Sequence, residues 1–155
     1  MRRVLVAGVG NVLLGDDGWG VAVANRLARE ELPAGVRVAD FGIRGLHLAF
    51  ELLDEPDLLV LVDAMARGGA PGTLYLVNHE VASEVEAPPA PDAHGMHPAA
   101  VLSALEAMGG TLPPSWIVGC EPGPCEGLAL SDAAEQAIDP AIAIIRRLVT
   151  SGGTP

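Results

Sequence analysis

The chain has 155 residues, half of them hydrophobic, only 3% aromatic, and a formal net charge of −11. That length suits one domain and buries roughly 70% of the unfolded surface, so a full aliphatic core needs no staples. Nine Lys and Arg against 20 Asp and Glu leave no basic face for nucleic acid or an anionic membrane, and favour cations, metal ions or a basic segment as partners.

The first apolar run, within residues 3–9, reads as a buried strand that ends at Gly8 and Gly10. Asn11 follows, where it bonds loop amides or tolerates a left-handed backbone. Val12-Leu13-Leu14 then crosses to Gly15-Asp16-Asp17-Gly18. Two adjacent carboxylates between glycines, just past a strand end, repel each other. One of them suits the start of the next helix, where an acid gains about 0.3–1 kcal/mol. The other is left over for chemistry. That helix runs from Trp19 to about Glu31 on the spacing of Val21, Val23, Ala24, Leu27 and Ala28, and Pro33-Ala34-Gly35 stops it.

Val36–Asp40 is a second strand, 41–45 a loop whose Gly42 and Gly45 fit a tight turn with positive φ, and Leu46–Leu53 a helix. Asp57–Asp63 is the clearest buried strand, five apolar residues bracketed by acids, which implies cover on both faces. The loop 64–72 is too short for the dozen or so residues of a parallel crossover, so the strand 73–77 is expected to run antiparallel. Residues 78–96 are polar and proline-rich and end at His94-Gly95-Met96-His97. A helix over about 98–108 follows, with Pro98 at its first position, then a strand over 115–119, a loop over 120–127, and a helix over about 132–150 capped by Ser131. Asp139-Pro140 is a candidate bend in that helix.

This order predicts one α/β domain over 1–150, a three-layer α/β/α sandwich around a mostly parallel sheet of about five strands with one antiparallel, and a frayed tail over 151–155. No apolar stretch approaches the roughly 20 residues that span a bilayer. Met1-Arg2-Arg3 leads directly into a strand rather than a signal peptide, and Cys120 and Cys125 make no disulfide framework, so a cytoplasmic setting is expected.

Ligands of such sheets sit beyond the carboxyl ends of the strands. Those ends deliver Asp17, Asp40, Asp63 and Cys120-Glu121, and doubly wound topology sets the first and third strands side by side. The loop before the fourth helix brings His94 and His97 to the same edge. Two carboxylates and an imidazole make an incomplete shell for a divalent ion. Plainer roles compete: a turn former for Asp63, a helix start for His97, solvated surface for His47 and His79, and a small buried hydrophobe for Cys120. Arg44 either grips a carboxylate or carbonyl at this edge or is plain surface. Gly8-Val9-Gly10 with Asp40 also suggests a dinucleotide-binding start, but the third glycine of that motif would fall on Leu13, and Asp16-Asp17 would repel a pyrophosphate. No nucleotide cofactor is expected.

The segment from Gly8 to Gly20, GVGNVLLGDDGWG, resembles the signature of the hydrogenase maturation proteases. Asp40-Phe-Gly-Ile-Arg-Gly45, Val62-Asp63-Ala64, Pro71-Gly72-Thr73, a histidine seven residues before Val101-Leu-Ser-Ala-Leu105, and Val118-Gly119 leading to Pro122 continue the likeness over nearly the whole chain. The resemblance implies an endopeptidase, aspartic-type or metal-assisted, that trims the C-terminal extension of a nickel–iron hydrogenase large-subunit precursor. It implies that Asp17, Asp63 and His94 read nickel carried by that precursor and serve catalysis, with His97 as the fallback for His94. Asp16 is then the cap-like acid, though an exchange of roles with Asp17 stays open. Asp40 and Arg44 are candidate supporting residues. A non-cleaving, chaperone-like module for the same precursor is the alternative.

Overall fold

The computed structural model describes residues 2–78, 98–124 and 127–154. The elements in chain order are β1 (Val4–Val9), a 3-10 turn (Gly15–Gly18), α1 (Trp19–Leu27), β2 (Val36–Gly42), α2 (Gly45–Leu52), β3 (Leu58–Ala64), β4 (Leu74–Asn78), α3 (Pro98–Ala107), β5 (Ser115–Cys120) and α4 (Asp132–Thr150). They form one five-stranded sheet in the order β2-β1-β3-β5-β4. The first four strands of that order pair in parallel, and β4 pairs antiparallel to β5, with Leu74 opposite Cys120 and Asn78 opposite Trp116. The short 64–72 connection thus does what its length requires.

Strand alternation divides the core in two. Val4 and Val6 of β1, with Leu58, Val60 and Val62 of β3, pack on Trp19, Val23 and Leu27 of α1 and Ile138, Ile145 and Leu148 of α4. Leu5, Ala7 and Val9, with Leu59 and Leu61, pack on Leu48 and Leu52 of α2 and Val101 and Leu105 of α3. The result is the three-layer sandwich expected from central strands that are apolar on both faces. No helix among the described residues is long and apolar enough to cross a membrane.

Several boundaries differ from the sequence reading, each for a packing reason. α1 ends at Leu27, the last residue of its buried face, and 28–30 form an exposed turn. β2 continues to Gly42 because Phe41 is buried against the α2–α3 layer. Gly42 has φ 52°, as a tight turn requires, whereas Gly45 is the first, buried residue of α2 and needs no left-handed backbone. α4 runs continuously through Pro140, and Ser131 caps it by accepting from the Ala134 N–H. After α4, the Gly153 N–H donates to the Leu148 carbonyl, and the Trp116 indole N–H donates to the Gly153 carbonyl at 2.7 Å.

Candidate functional site

The site begins where α1 lies backbone-to-backbone on the sheet. A Cβ on Gly20 would collide with the carbonyl oxygens of Val62 in β3 and Val9 in β1, and a Cβ on Gly8 would meet Ala24 and the Gly20 carbonyl. Glycine at both positions lets the helix start sit directly over the ends of β1 and β3. The 3-10 turn that carries Asp16 and Asp17 is therefore held beside the strand end that carries Asp63.

The turn is organised by local bonds. Gly10 has φ 139°, a backbone that residues with side chains rarely adopt. The Asn11 side-chain oxygen accepts from the Leu13 N–H at 2.9 Å, and the Asn11 carbonyl accepts from the Leu14 N–H. This is the structural role read for Asn11, a side chain that mimics a backbone turn. Asp17 is half-buried, and its Oδ2 accepts from the Asn11 N–H at 3.1 Å.

Asp16 is a different residue altogether. It is 1% exposed, and both of its oxygens are engaged: Oδ1 accepts from the Ser131 N–H, and Oδ2 from the Gly123 N–H and the Ser131 hydroxyl, each at 2.7 Å. Burial disfavours its charge, yet the Ser131 and Gly123 donors outweigh that cost and hold its carboxyl below the usual value. The expected cap-like role is corrected here. Asp16 does not cap α1; it pins the loop after β1 to the loop that leads into α4. Gly15 N–H adds a bond between the same two loops through the Gly127 carbonyl.

Asp63 is the penultimate residue of β3, half-buried, and opposite Gly119 in the β5 register. Asp40 is exposed at the end of β2. Arg44 donates from Nη2 to the Asp40 carbonyl at 2.6 Å and from Nε to the Phe41 carbonyl at 3.2 Å, so the carbonyls it grips are those at the end of β2, just before its own turn. His94, the fallback His97, His79 and Cys125 lie outside the described residues. Among the described residues no three His, Cys, Asp or Glu side chains group as a metal site would. The structure thus brings together the segments bearing Asp17 and Asp63, and the third expected donor lies outside the described residues. His47, read as surface, is exposed and stands edge-on to Phe41.

One buried carboxylate, set by the sequence at the carboxyl end of a strand, has a role that the strand pattern does not reveal. Glu121, 6% exposed, follows β5 and accepts through Oε1 from the Arg67 N–H, the Gly69 N–H and the Tyr75 hydroxyl at 2.7–2.9 Å. The Tyr75 and Arg67 donors, ahead of the opposing burial, lower its carboxyl from the ordinary value. It fixes the loop that continues from Asp63 into β4. A signal for it existed: it follows a buried strand, as Asp63 closes its own.

Cys120 is 1% exposed. Burial first, and the nearby Asp16 charge second, push its thiol up to about 11. A neutral thiol is a poor nucleophile at physiological pH, so the residue acts as the small buried hydrophobe expected of it.

The family model described as hydrogenase maturation protease matches residues 21–148. The hydrogenase expression/formation protein HupD of Rhodobacter capsulatus is 35% identical over 163 residues, covering 99% of this chain and 77% of that protein. The hydrogenase 2 maturation protease of Escherichia coli is 32% identical over 143 residues, covering 90% of this chain and 86% of its own. Among solved structures, the hydrogenase-maturating endopeptidase HybD from E. coli superposes with a TM-score of 0.83 at 33% identity, covering 97% of this chain and 94% of that one. A match across the helices and strands that frame Asp17 and Asp63 extends beyond a shared fold, and the chain belongs to the hydrogenase maturation protease family.

Proposed function

We propose that this chain is an endopeptidase that removes the C-terminal extension of a nickel–iron hydrogenase large-subunit precursor after nickel insertion. Family membership supports peptidase action on such a precursor. The observation that carries the finer reading is the division of labour between two adjacent carboxylates. Asp16 is buried with three donors on its two oxygens, and is spent on structure. Asp17 is half-buried beside the end of β3, where Asp63 stands.

With an imidazole from His94, Asp17 and Asp63 form an open donor set of oxygen and nitrogen, suited to a divalent ion that keeps other ligands. The nickel in this reading is part of the substrate and arrives with the precursor. An open three-donor set binds a bare ion weakly, and binds well when the precursor's thiolates complete the shell. Cleavage then waits for nickel, and an empty precursor is spared. The ion offers Lewis acidity at the scissile carbonyl, and either aspartate offers a base for the attacking water. The buried, neutral Cys120 thiol is not the nucleophile of this reading.

The experiment incubates the chain with nickel-loaded and nickel-free precursor and follows loss of the extension by mass. Cleavage of the loaded form alone, abolished by Asp17→Asn and by Asp63→Asn, supports the proposal. A loaded precursor that binds but stays intact makes the chain a non-cleaving docking module and overturns it.

A further inference from the structure

Arg67 follows Asp63 in the loop that links β3 to β4, and its side chain is exposed. Both ends of this residue are fixed through one atom. Glu121 Oε1 accepts from the Arg67 N–H at 2.8 Å and from the Tyr75 hydroxyl at 2.7 Å. The Arg67 guanidinium carbon stands 5.7 Å from the centroid of that same Tyr75 ring, within the reach of about 6 Å for a cation–π contact. The sheet register ties this assembly to Asp63. Gly119 of β5 pairs with Asp63 on one side and with Tyr75 on the other. Tyr75 packs on the α2–α3 layer, and strand alternation turns Asp63 to the same face as Leu61 of that layer. At about 4.8 Å per strand, Asp63 and Tyr75 lie about 10 Å apart on one face, and the Met65 side chain fills the space over Gly119 between them. Arg44 and Arg67 stand on the loops that leave the carboxyl ends of β2 and β3. Arg44 donates to the carbonyls of Asp40 and Phe41. Among the described residues the Arg67 guanidinium joins no ion pair, in a chain of net charge −11.

We propose that Arg67 is a substrate-binding residue whose guanidinium takes a carboxylate side chain of the precursor close to the bond to be cut. The inference rests on the proposed function and names a group of the substrate that the site reads. The planar fork of N–H donors fits a carboxylate with two parallel bonds, as an ammonium does not. Stacking on Tyr75 and the Glu121 anchor hold the side chain in place, which lowers the ordering cost of binding. Distance locates the partner. A span of about 10 Å is about three residues of extended chain at about 3.3 Å each, so the carboxylate belongs within about four residues of the bond held at Asp63. The acids at this end of the sheet repel such a carboxylate, and Arg67 supplies the compensating charge.

The test measures binding of nickel-loaded precursor to the wild-type chain and to Arg67→Met, Arg67→Lys and Arg29→Met. Arg29 is exposed in the turn after α1, at the far end of that helix from Asp17, and its loss changes the net charge equally. All four are expected to melt alike. Arg67→Met should bind about tenfold more weakly, Arg67→Lys should fall between, and Arg29→Met should bind as the wild type does. Precursors in which each Asp or Glu within about four residues of the cleaved bond is changed to its amide complete a double-mutant cycle. One such change should weaken binding to the wild type as much as Arg67→Met does, and weaken binding to Arg67→Met no further. Undiminished binding by Arg67→Met overturns the inference, as does equal weakening by Arg29→Met. A cycle in which every precursor change simply adds to the Arg67 loss assigns the guanidinium to a backbone carbonyl and also overturns it, as does a precursor with no acid in that stretch. Because binding is read directly, a wild-type chain that binds without cutting defeats the proposed function and leaves Arg67 to be judged on its own data.

Discussion

Replacing Asp16 with alanine strips the acceptor from three donors at once: the Ser131 N–H, the Ser131 hydroxyl and the Gly123 N–H. Each buried donor left without a partner costs about 1–3 kcal/mol, and water entering the vacated space relieves part of the sum. A net loss of about 3–5 kcal/mol follows for three such donors with part of the cost relieved. A domain of this size loses about 2–4 °C of Tm per kcal/mol, so the melting temperature should fall by about 6–20 °C. Asp16→Asn keeps the shape but turns its amide toward at least one donor, and should cost about 1.5–3 kcal/mol. Asp17→Ala, which removes one accepted bond at a half-buried position, should cost only about 1 kcal/mol. Thermal melts of the three variants check the series. An Asp16→Ala protein melting within about 2 °C of wild type, or below which Asp17→Ala melts lower still, refutes the structural role assigned to Asp16.

The same network predicts the response to acid. Asp16 and Glu121 both have carboxyls lowered in the folded state, so their stabilisation is complete above the ordinary carboxylate range of about 4 and is lost as pH falls through their lower folded values. Denaturant titrations from pH 7 to 2 should show stability falling below about pH 4, with a shallower fall in Asp16→Asn; parallel curves count against the assignment. Gly20→Ala should destabilise by at least about 2 kcal/mol in chemical denaturation, since its methyl meets the Val62 and Val9 carbonyls of two central strands; a neutral effect means the helix start is not seated as described. Cys120→Ala should retain processing within about twofold and lose on the order of 1 kcal/mol of stability; loss of processing in a folded variant would reinstate the thiol as a reacting group. Glu121→Gln should leave the loop after β3 less protected in hydrogen exchange at Arg67 and Gly69, and unchanged exchange there argues that their shared acceptor is unimportant.

The frame of the molecule was readable because its signals are local. Five apolar residues closed by Asp63 read as a central strand without knowledge of its neighbours, and the short 64–72 connection forbade a parallel crossover. The role of Asp16 was not readable in this way. Two adjacent acids at a helix start look interchangeable, and what separates them is a set of partners 107 and 115 positions further along the chain. Glu121 stood at its strand end in the sequence, but its role hid for the same reason, since two of its donors come from a loop more than fifty residues earlier. Gly45 misled in the opposite sense: a glycine beside a turn suggested a left-handed backbone, while the residue is the buried first position of α2 with no positive φ.

The central claim is that Asp17 and Asp63, and not Asp16, read the metal carried by the substrate. The most direct measurement compares cleavage of nickel-loaded precursor by wild type, Asp17→Asn, Asp63→Asn and Asp16→Asn at a temperature where all four are folded. The account predicts that the Asp17 and Asp63 variants lose more than about 100-fold in rate, beyond the 10–100-fold typical of residues that only support a metal's ligands. It predicts that Asp16→Asn keeps most of its activity while melting lower. Normal processing by Asp63→Asn or Asp17→Asn, or cleavage of nickel-free precursor at the same rate as the loaded form, would contradict it.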